Sequence, residues 1–364
     1  MRQPFEHTIA SGSGSGIPIQ IQAALIAALV SLLTISLGEV FLRMRTRRTA
    51  KQAIRETYQK YADPLALSST DLFWRLREVF EASGAGFYLK GHAHLAKYEH
   101  YKALSTLYRL GNLLGWIRAL RRELLFLPRT NPEEVAKLEL ALRRFTSALA
   151  EGGHVESQRV RSLTRLWGIG EDASPDAIRR AGIQIDWRFK NFLHEKSASS
   201  ASDLSDSDAL ELSQKIADAM TAAFGCKSVA KRVISETLNR AMTYLSVREA
   251  WVYRDWQAAI GDVMLRETQP GVRFFEVIGY KDFETLCLEG REGDRTWMRR
   301  LNAVIDDLDI HGDRSEDARI EQLRTVYIAT AEIIRALHLV DPKKSMITAD
   351  TFSAASAILS AGQS

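Results

Sequence analysis

The sequence predicts an all-α chain: a single N-terminal transmembrane helix followed by a cytoplasmic helical bundle. Three observations carry this reading. From Ile17 to Leu42 the chain runs 26 residues with one charge, Glu39. Beyond that run, apolar residues recur at three- and four-residue spacing over long stretches, the period of helices that bury one face. Strand-like alternation of Val, Ile and Thr is scarce, and only eight prolines interrupt 364 residues.

The first element is the apolar run, IQIQAALIAALVSLLTISLGEVFLRMRTRR at 19–48. A bilayer core takes about 20 apolar residues in a helix. A core helix of a soluble domain would carry a polar face, and this run has no charged face at all. A cleaved signal has a basic start and an apolar stretch of about 7–15 residues. Here the start, MRQPFEHTIASGSGSG, carries one Arg and one Glu. Arg43, Arg45, Arg47, Arg48 and Lys51 follow the run directly. Cations in that position are retained in the cytoplasm. The expected arrangement is therefore a short extracytoplasmic tail at 1–16, a span at 17–42 and all later residues on the cytoplasmic side of the inner (plasma) membrane.

Within the span the small and polar residues are aligned. At about 100° per residue, Gln20, Ala24, Ala27, Ser31, Thr34 and Gly38 fall within an arc of roughly 80°. Leu25, Ile26, Leu29, Leu32, Leu33, Leu37 and Val40 occupy the other side, with Gln22 and Ser36 among them. Leucine gains little by leaving lipid, whereas small residues let helix backbones approach and buried hydroxyls and amides bond across. The alignment points to a homo-oligomeric seam, which in several copies lines a narrow wet path. The bland alternative is compositional chance, since Ala, Ser and Thr are common in spans.

Charge is asymmetric. Residues 39–190 hold 27 Lys and Arg against 17 Asp and Glu, a net +10; residues 191–364 net −6. The basic half adjoins the span, and attraction to anionic head groups on the cytoplasmic face accounts for it; a phosphate-bearing ligand is the alternative. Two cysteines, Cys226 and Cys287, make neither a disulfide framework nor a zinc site.

The remaining elements follow in order. A helix continues from the span and stops near Asp63-Pro64. A second starts at the caps Ser68-Ser69-Thr70 and ends at Gly84-Ala85-Gly86. A long helix from Leu95 to Phe126 holds Gly111 and Gly115, which cost it about 1 kcal/mol each and imply a close neighbour there. Asn131-Pro132-Glu133-Glu134 opens a helix to Leu149, and Val155–Trp167 and Ile185–Glu195 are shorter ones. These make up a basic helical region at 43–195. KSASSASDLSDSDA, at 196–209, reads as an exposed mobile linker and the internal boundary. A second helical region at 210–340 contains helices at Ala209–Phe224, Ser228–Arg266, Trp297–Leu308 and Glu316–Leu339. VRFFEVIGY reads as a short extended piece after the turn Gln269-Pro270-Gly271. Residues 341–364 are small and polar and are expected to be a loose tail.

The search for chemistry is largely negative. The chain has no glycine-rich phosphate loop, HExxH, CxxC or GxSxG. GHAHLAKYEH offers His92, His94, Glu99 and His100, but the default reading is a solvated polar loop rather than a metal site. DDLDIHGDRSED resembles a calcium loop until His311 and Ala318 fall where oxygen ligands are needed. It is expected to be a turn whose acids cap the next helix. Neither a metal nor a cofactor is expected. An arginine series remains: Arg118, Arg121, Arg122, Arg143, Arg144, Arg159, Arg161 and Arg165, continuing to Arg179, Arg180 and Arg188 with Trp116, Trp167 and Trp187 interleaved. Guanidinium forks match phosphates and aromatic faces stack on bases, so these are the contacts a nucleotide or nucleic acid would use. Solvated or lipid-facing charge is the competing account.

ADPLALSSTDLFWRLREVF, STLYRLGNLLGWIRALRRELLFL and VYRDWQAAIGDVM together resemble a widespread membrane-anchored all-helical family, in which similar phrases recur over residues 62–310. That resemblance implies an all-helical fold and brings no catalytic residue. The layout also resembles single-span membrane effectors of bacterial antiphage systems, such as the channel-forming partner in Hailong-type defence, where a cytoplasmic sensor governs one span. The leading expectation is thus a non-enzymatic, homo-oligomeric, single-span protein whose helical body senses a ligand or a cytoplasmic protein partner. One alternative is a membrane-tethered scaffold whose acidic half recruits a basic protein. The other is a helical enzyme, with Asp255, Asp262, Glu249 and Glu276 as candidates by residue type alone.

Overall fold

In a computed structural model, residues 19–81, 89, 97–125, 133–170, 172–198, 200–268, 273–314, 316–340 and 346–361 are described. They form thirteen α-helices and one two-stranded antiparallel sheet. The all-α class expected from the sequence is the class found. The helices are α1 (Ile19–Glu81), α2 (Lys97–Leu124), α3 (Glu133–Ala150), α4 (Gly153–Trp167), α5 (Pro175–Glu195), α6 (Asp206–Phe224), α7 (Lys231–Glu236), α8 (Leu238–Leu245), α9 (Arg254–Met264), α10 (Tyr280–Glu289), α11 (Glu292–Asn302), α12 (Arg319–Val340) and α13 (Ala349–Ala361). Strands β1 (Leu265–Glu267) and β2 (Phe275–Val277) pair with Arg266 opposite Glu276.

α1 is the organising element. It runs 63 residues without a break, about 95 Å at 1.5 Å per residue. Its described side chains are exposed from Ala27 to Thr49, and burial begins at Ala50. From there Ile54, Tyr58, Tyr61, Leu65, Leu72, Phe73, Leu76 and Val79 are buried at helical spacing. The stop expected at Asp63-Pro64, with a fresh start at Ser68, is therefore corrected. A helix-interior proline leaves the carbonyl four residues back without its N–H. Here that carbonyl, Lys60 O, accepts from Arg273 Nη1 at 3.4 Å. The Ser68 hydroxyl bonds back to Leu65 O at 3.2 Å, so it serves inside the helix and not as a cap.

Three long helices pack around the inner part of α1. α2 runs antiparallel to it: Lys102 pairs with Glu78 at 2.8 Å, and the Trp116 ring lies 6.2 Å from Tyr61. α12 stacks Tyr327 on Phe73 and Phe80 and sends its hydroxyl to Glu81 at 2.8 Å. α3 packs along α12, and the Tyr58 hydroxyl donates to Glu139 on α3. α9 crosses α2 where glycines face it. A Cβ on Gly115 would meet Val277 at 2.9 Å and Met264 at 3.1 Å, and one on Gly261 would meet Arg118 Cβ at 2.6 Å. The Gly111–Gly115 spacing thus marks a close approach, as expected.

A second, separate core joins α4 to α8: Val160, Leu163 and Trp167 meet Ile185, Phe192, Leu212, Ile216, Ile234 and Leu245. Its outgoing and returning backbones lie side by side, because Val252 N–H donates to Leu149 O at 2.8 Å and Gly152 lies against the Trp251 ring. The last carbonyls of α3 are satisfied there as well. Gln257 Nε2 donates to Thr146 O at 2.7 Å and Gln322 Nε2 to Leu149 O at 3.1 Å.

Three further expectations change. The Ser/Asp-rich segment 196–209 is no boundary between cores: α5 and α6 on either side of it share one. It is a capped turn, in which Ser205 Oγ accepts from Asp208 N at 3.2 Å and Lys196 pairs with Asp208 at 2.6 Å. The helix expected over Ser228–Arg266 is broken into α7, α8 and α9, and between them Arg248 bridges to Asp317. Of the tail expected at 341–364, residues 341–345 and 362–364 lie outside the described residues, and the rest holds α13, packed on α12 with His338 and Phe352 rings 4.3 Å apart and Trp74 Nε1 donating to Thr351 at 3.2 Å. The tail 1–16, Gly84-Ala85-Gly86, Asn131-Pro132 and Gln269-Pro270-Gly271 lie outside the described residues.

The crossing of α2 and α9 makes a prediction. Gly261→Ala forces its methyl into Arg118 Cβ and, at 3.1 Å, the Leu114 carbonyl, an overpacking cost of about 1–3 kcal/mol. Gly111→Ala meets only the flexible end of Met264, at 3.3 Å or more. Thermal unfolding of the full chain followed by circular dichroism should show a lowered midpoint for the first and little change or a gain for the second. Equal effects would contradict the packing.

Candidate functional site

The candidate site is α1 itself, where a lipid-compatible helix becomes the centre of a folded body. Among the described residues it is the one helix long and apolar enough to cross a membrane, and none of its apolar window is buried in the protein. Leu29, Leu32, Leu33, Leu37 and Phe41 are all more than half exposed. A contiguous exposed apolar surface of this kind marks contact with lipid or with another protein. Of the expected seam, Ala27, Ser31, Thr34 and Gly38 are exposed, and nothing lies within 4 Å of a Cβ built on Gly38. The Thr34 hydroxyl bonds back to Val30 O at 2.7 Å, so the helix satisfies it internally. The side chains of Gln20 and Ala24 lie outside the described residues. The cationic collar follows: Arg43 pairs with Glu39 at 3.3 Å, and Arg45, Arg47, Arg48 and Lys51 are exposed.

Below the collar, three tyrosines pin the body. Tyr58 meets Glu139, Tyr61 donates to Glu123 at 2.6 Å and Tyr327 to Glu81 at 2.8 Å. Burial, reinforced by the adjoining carboxylate, pushes all three phenols well above their usual range. Glu123 also accepts from Phe274 N at 3.3 Å and lies 4.0 Å from Lys60. It thereby joins α1, the end of α2 and the hairpin. A cleft of about 820 Å³ opens at this junction, with Thr57 and Lys60 of α1 on one wall and Arg122, Phe274 and Phe275 opposite. Arg273, which supports the Lys60 carbonyl, also lies 5.6 Å over the Trp116 ring. Whatever enters the cleft touches α1 directly. Its walls come from Thr57 and Lys60, from 122–125, and from Glu267, Thr268, Phe274 and Phe275, too far apart in sequence to have been grouped.

The arginine series is divided among four helices, α2 to α5, and largely engaged. Arg118 holds Asp262 through two bonds at 2.8 and 2.9 Å, and Arg122 lies 3.7 Å from the same carboxylate and 4.4 Å over Phe275. Arg121 is half-buried, its pKa lowered by burial against the pull of Glu139. Arg143 reaches Glu139 O at 3.5 Å and Arg144 pairs with Glu332. Arg159 is buried and faces Glu249 at 3.4 Å and Asp186 at 4.0 Å. Arg161 and Arg165 stand exposed on α4. Trp167 is core, donating to Thr237 at 3.3 Å, whereas Trp187 is exposed. Of the carboxylates weighed for catalysis, Asp262 and Glu249 are taken up in these pairs, and Asp255 and Glu276 are exposed.

No group of metal-binding side chains is assembled among the described residues; His92 and His94, and the side chains of Glu99 and His100, lie outside them. The calcium-like segment is a turn. Asp309 accepts from His311 N at 3.0 Å, and Asp317 accepts from Arg319 N at 3.1 Å at the start of α12. Comparison with protein-family models, curated proteins and solved structures finds no match.

Two outcomes test the junction. In a double-mutant cycle, Arg273→Gln should cost less in the Pro64→Ala background, because alanine restores the N–H that Lys60 O lacks. The Trp116 stack cancels in such a cycle, leaving a coupling of about 0.5–1.5 kcal/mol. A coupling of zero removes the clasp. The tyrosines give a pH dependence. Unfolded phenols ionise near pH 10, while the folded state holds these three protons above that. The stability they lend is present below pH 10 and lost as pH rises beyond it. In a 295 nm titration of the ten tyrosines, at least three should ionise only as the chain unfolds; ten reversible ionisations near pH 10 would contradict their burial.

Proposed function

We propose that this chain is a non-enzymatic, single-span membrane protein that assembles with copies of itself and whose helical body controls how the spans pack. The observation that carries the reading is the continuity of α1: its outer part is exposed among the described residues, and its inner part is the axis of the main core. The cationic collar supports a cytoplasmic body and an extracytoplasmic N-terminus in the plasma membrane. The side that carries Ala27, Ser31, Thr34 and Gly38 is the self-facing side, because small residues permit the close helix approach that lipid-like leucines do not reward. The junction cleft receives the signal, a phosphate-bearing ligand or a nucleic acid drawn by Lys60 and Arg122, or a cytoplasmic protein. In its most specific form the assembly is a pore, and the protein a channel-forming effector of antiphage defence.

The test uses the full chain in lipid nanodiscs. Native mass spectrometry should give one discrete oligomer. Ala27→Leu and Ser31→Leu should shift it toward monomer, while Leu29→Ala and Leu33→Ala on the other side should leave it intact. Ion flux from proteoliposomes, lost with the same two variants, would support the pore. A monomeric wild-type chain removes the proposal.

A further inference from the structure

One pocket plays no part in that reading. α2 contributes Leu104 and Leu107, α11 contributes Met298, and Leu288 follows Cys287 near the end of α10. These apolar walls line an open pocket of about 240 Å³. Leu288 is 59% exposed at the pocket. Burial pushes the Cys287 thiol up to about 11, so it is neutral at physiological pH and forms part of the apolar lining. The same pocket is lined by two cations, Arg295 and Arg299, which share the face of α11 with Met298.

The structure already shows a carboxylate in this fork. Glu292 Oε2 accepts from Arg295 Nη2 at 2.8 Å, and Oε1 accepts from Arg299 Nη2 at 2.5 Å. Its side chain is 65% exposed. Exposed ion pairs contribute about 0–1 kcal/mol, so exchanging one carboxylate for another costs little. A carboxylate that also brought an alkyl chain would cover apolar wall, at about 25 cal/mol per Å². We propose that this pocket binds a free medium-chain alkyl carboxylate. Its chain lies on Leu104, Leu107 and Met298, and its carboxylate replaces that of Glu292 between Arg295 and Arg299. Glu292 is then an internal competitor for the site. The inference does not depend on how the spans assemble.

Equilibrium dialysis of radiolabelled octanoate against the full chain in nanodiscs, with empty discs as reference, tests it. One saturable site per chain is expected, displaced by unlabelled octanoate and not by acetate or octyltrimethylammonium. Arg295→Gln with Arg299→Gln should weaken binding about tenfold or more, since charge-assisted bonds are the strong ones. Glu292→Gln should strengthen it severalfold, a gain that damage to the fold would not produce. Uptake no greater than that of empty discs overturns the proposal. So does equal displacement by the cation, or affinity unchanged in both sets of variants.

Discussion

The rest of the structure depends on an uninterrupted backbone ladder in α1. A helix whose exposed apolar half leads into a packed body can end at the boundary and restart, or it can continue. Here it continues, and the proline that would stop it is accommodated because Arg273 supplies a donor to the Lys60 carbonyl. The body has no hinge between itself and the exposed apolar half. Tyr58, Tyr61 and Phe73 therefore pack on the same continuous helix that carries the exposed apolar half.

Polar groups inside the body follow one logic. Each buried tyrosine on or against α1 finds a carboxylate on a neighbouring helix, and the Thr146 and Leu149 carbonyls near the end of α3 find side-chain amides. Unpaired buried polar groups are costly, so these pairings fix which helix lies beside which. Most of the arginines read from the sequence are absorbed in the same way. Arg118 and Arg159 hold helices together, whereas Arg161, Arg165 and Arg180 stand exposed on their helices.

The fold class, the apolar helix and the close approach at Gly111 and Gly115 were legible because each leaves a local mark: a run without charge, a three-four period, two glycines inside a helix. Pro64 misled because the rule about proline is local, whereas the donor to the Lys60 carbonyl lies 213 residues beyond Lys60. The Ser/Asp segment misled because composition marks exposure, and an exposed turn inside one core looks like a linker between two. α13 escaped because its stripe of Thr351 and Ala355 is too small to stand out. The junction cleft and the two-core division are assembled from segments distant in sequence, which no window along the chain can combine.

The joint at Gly152 and Trp251 has a consequence for how such a chain can vary. The stretch between Ala150 and Val252 leaves and returns side by side, joined by the Val252 bond to Leu149, and is tied to the main body again where Arg248 N–H donates to Glu316 O and Arg248 O accepts from Ala318 N. To the main body it is a cassette held at two points. Helices that stand clear of both points can be exchanged or lengthened without disturbing the register of the main core. Related chains could therefore differ most in that appendage and least in the rod that holds it.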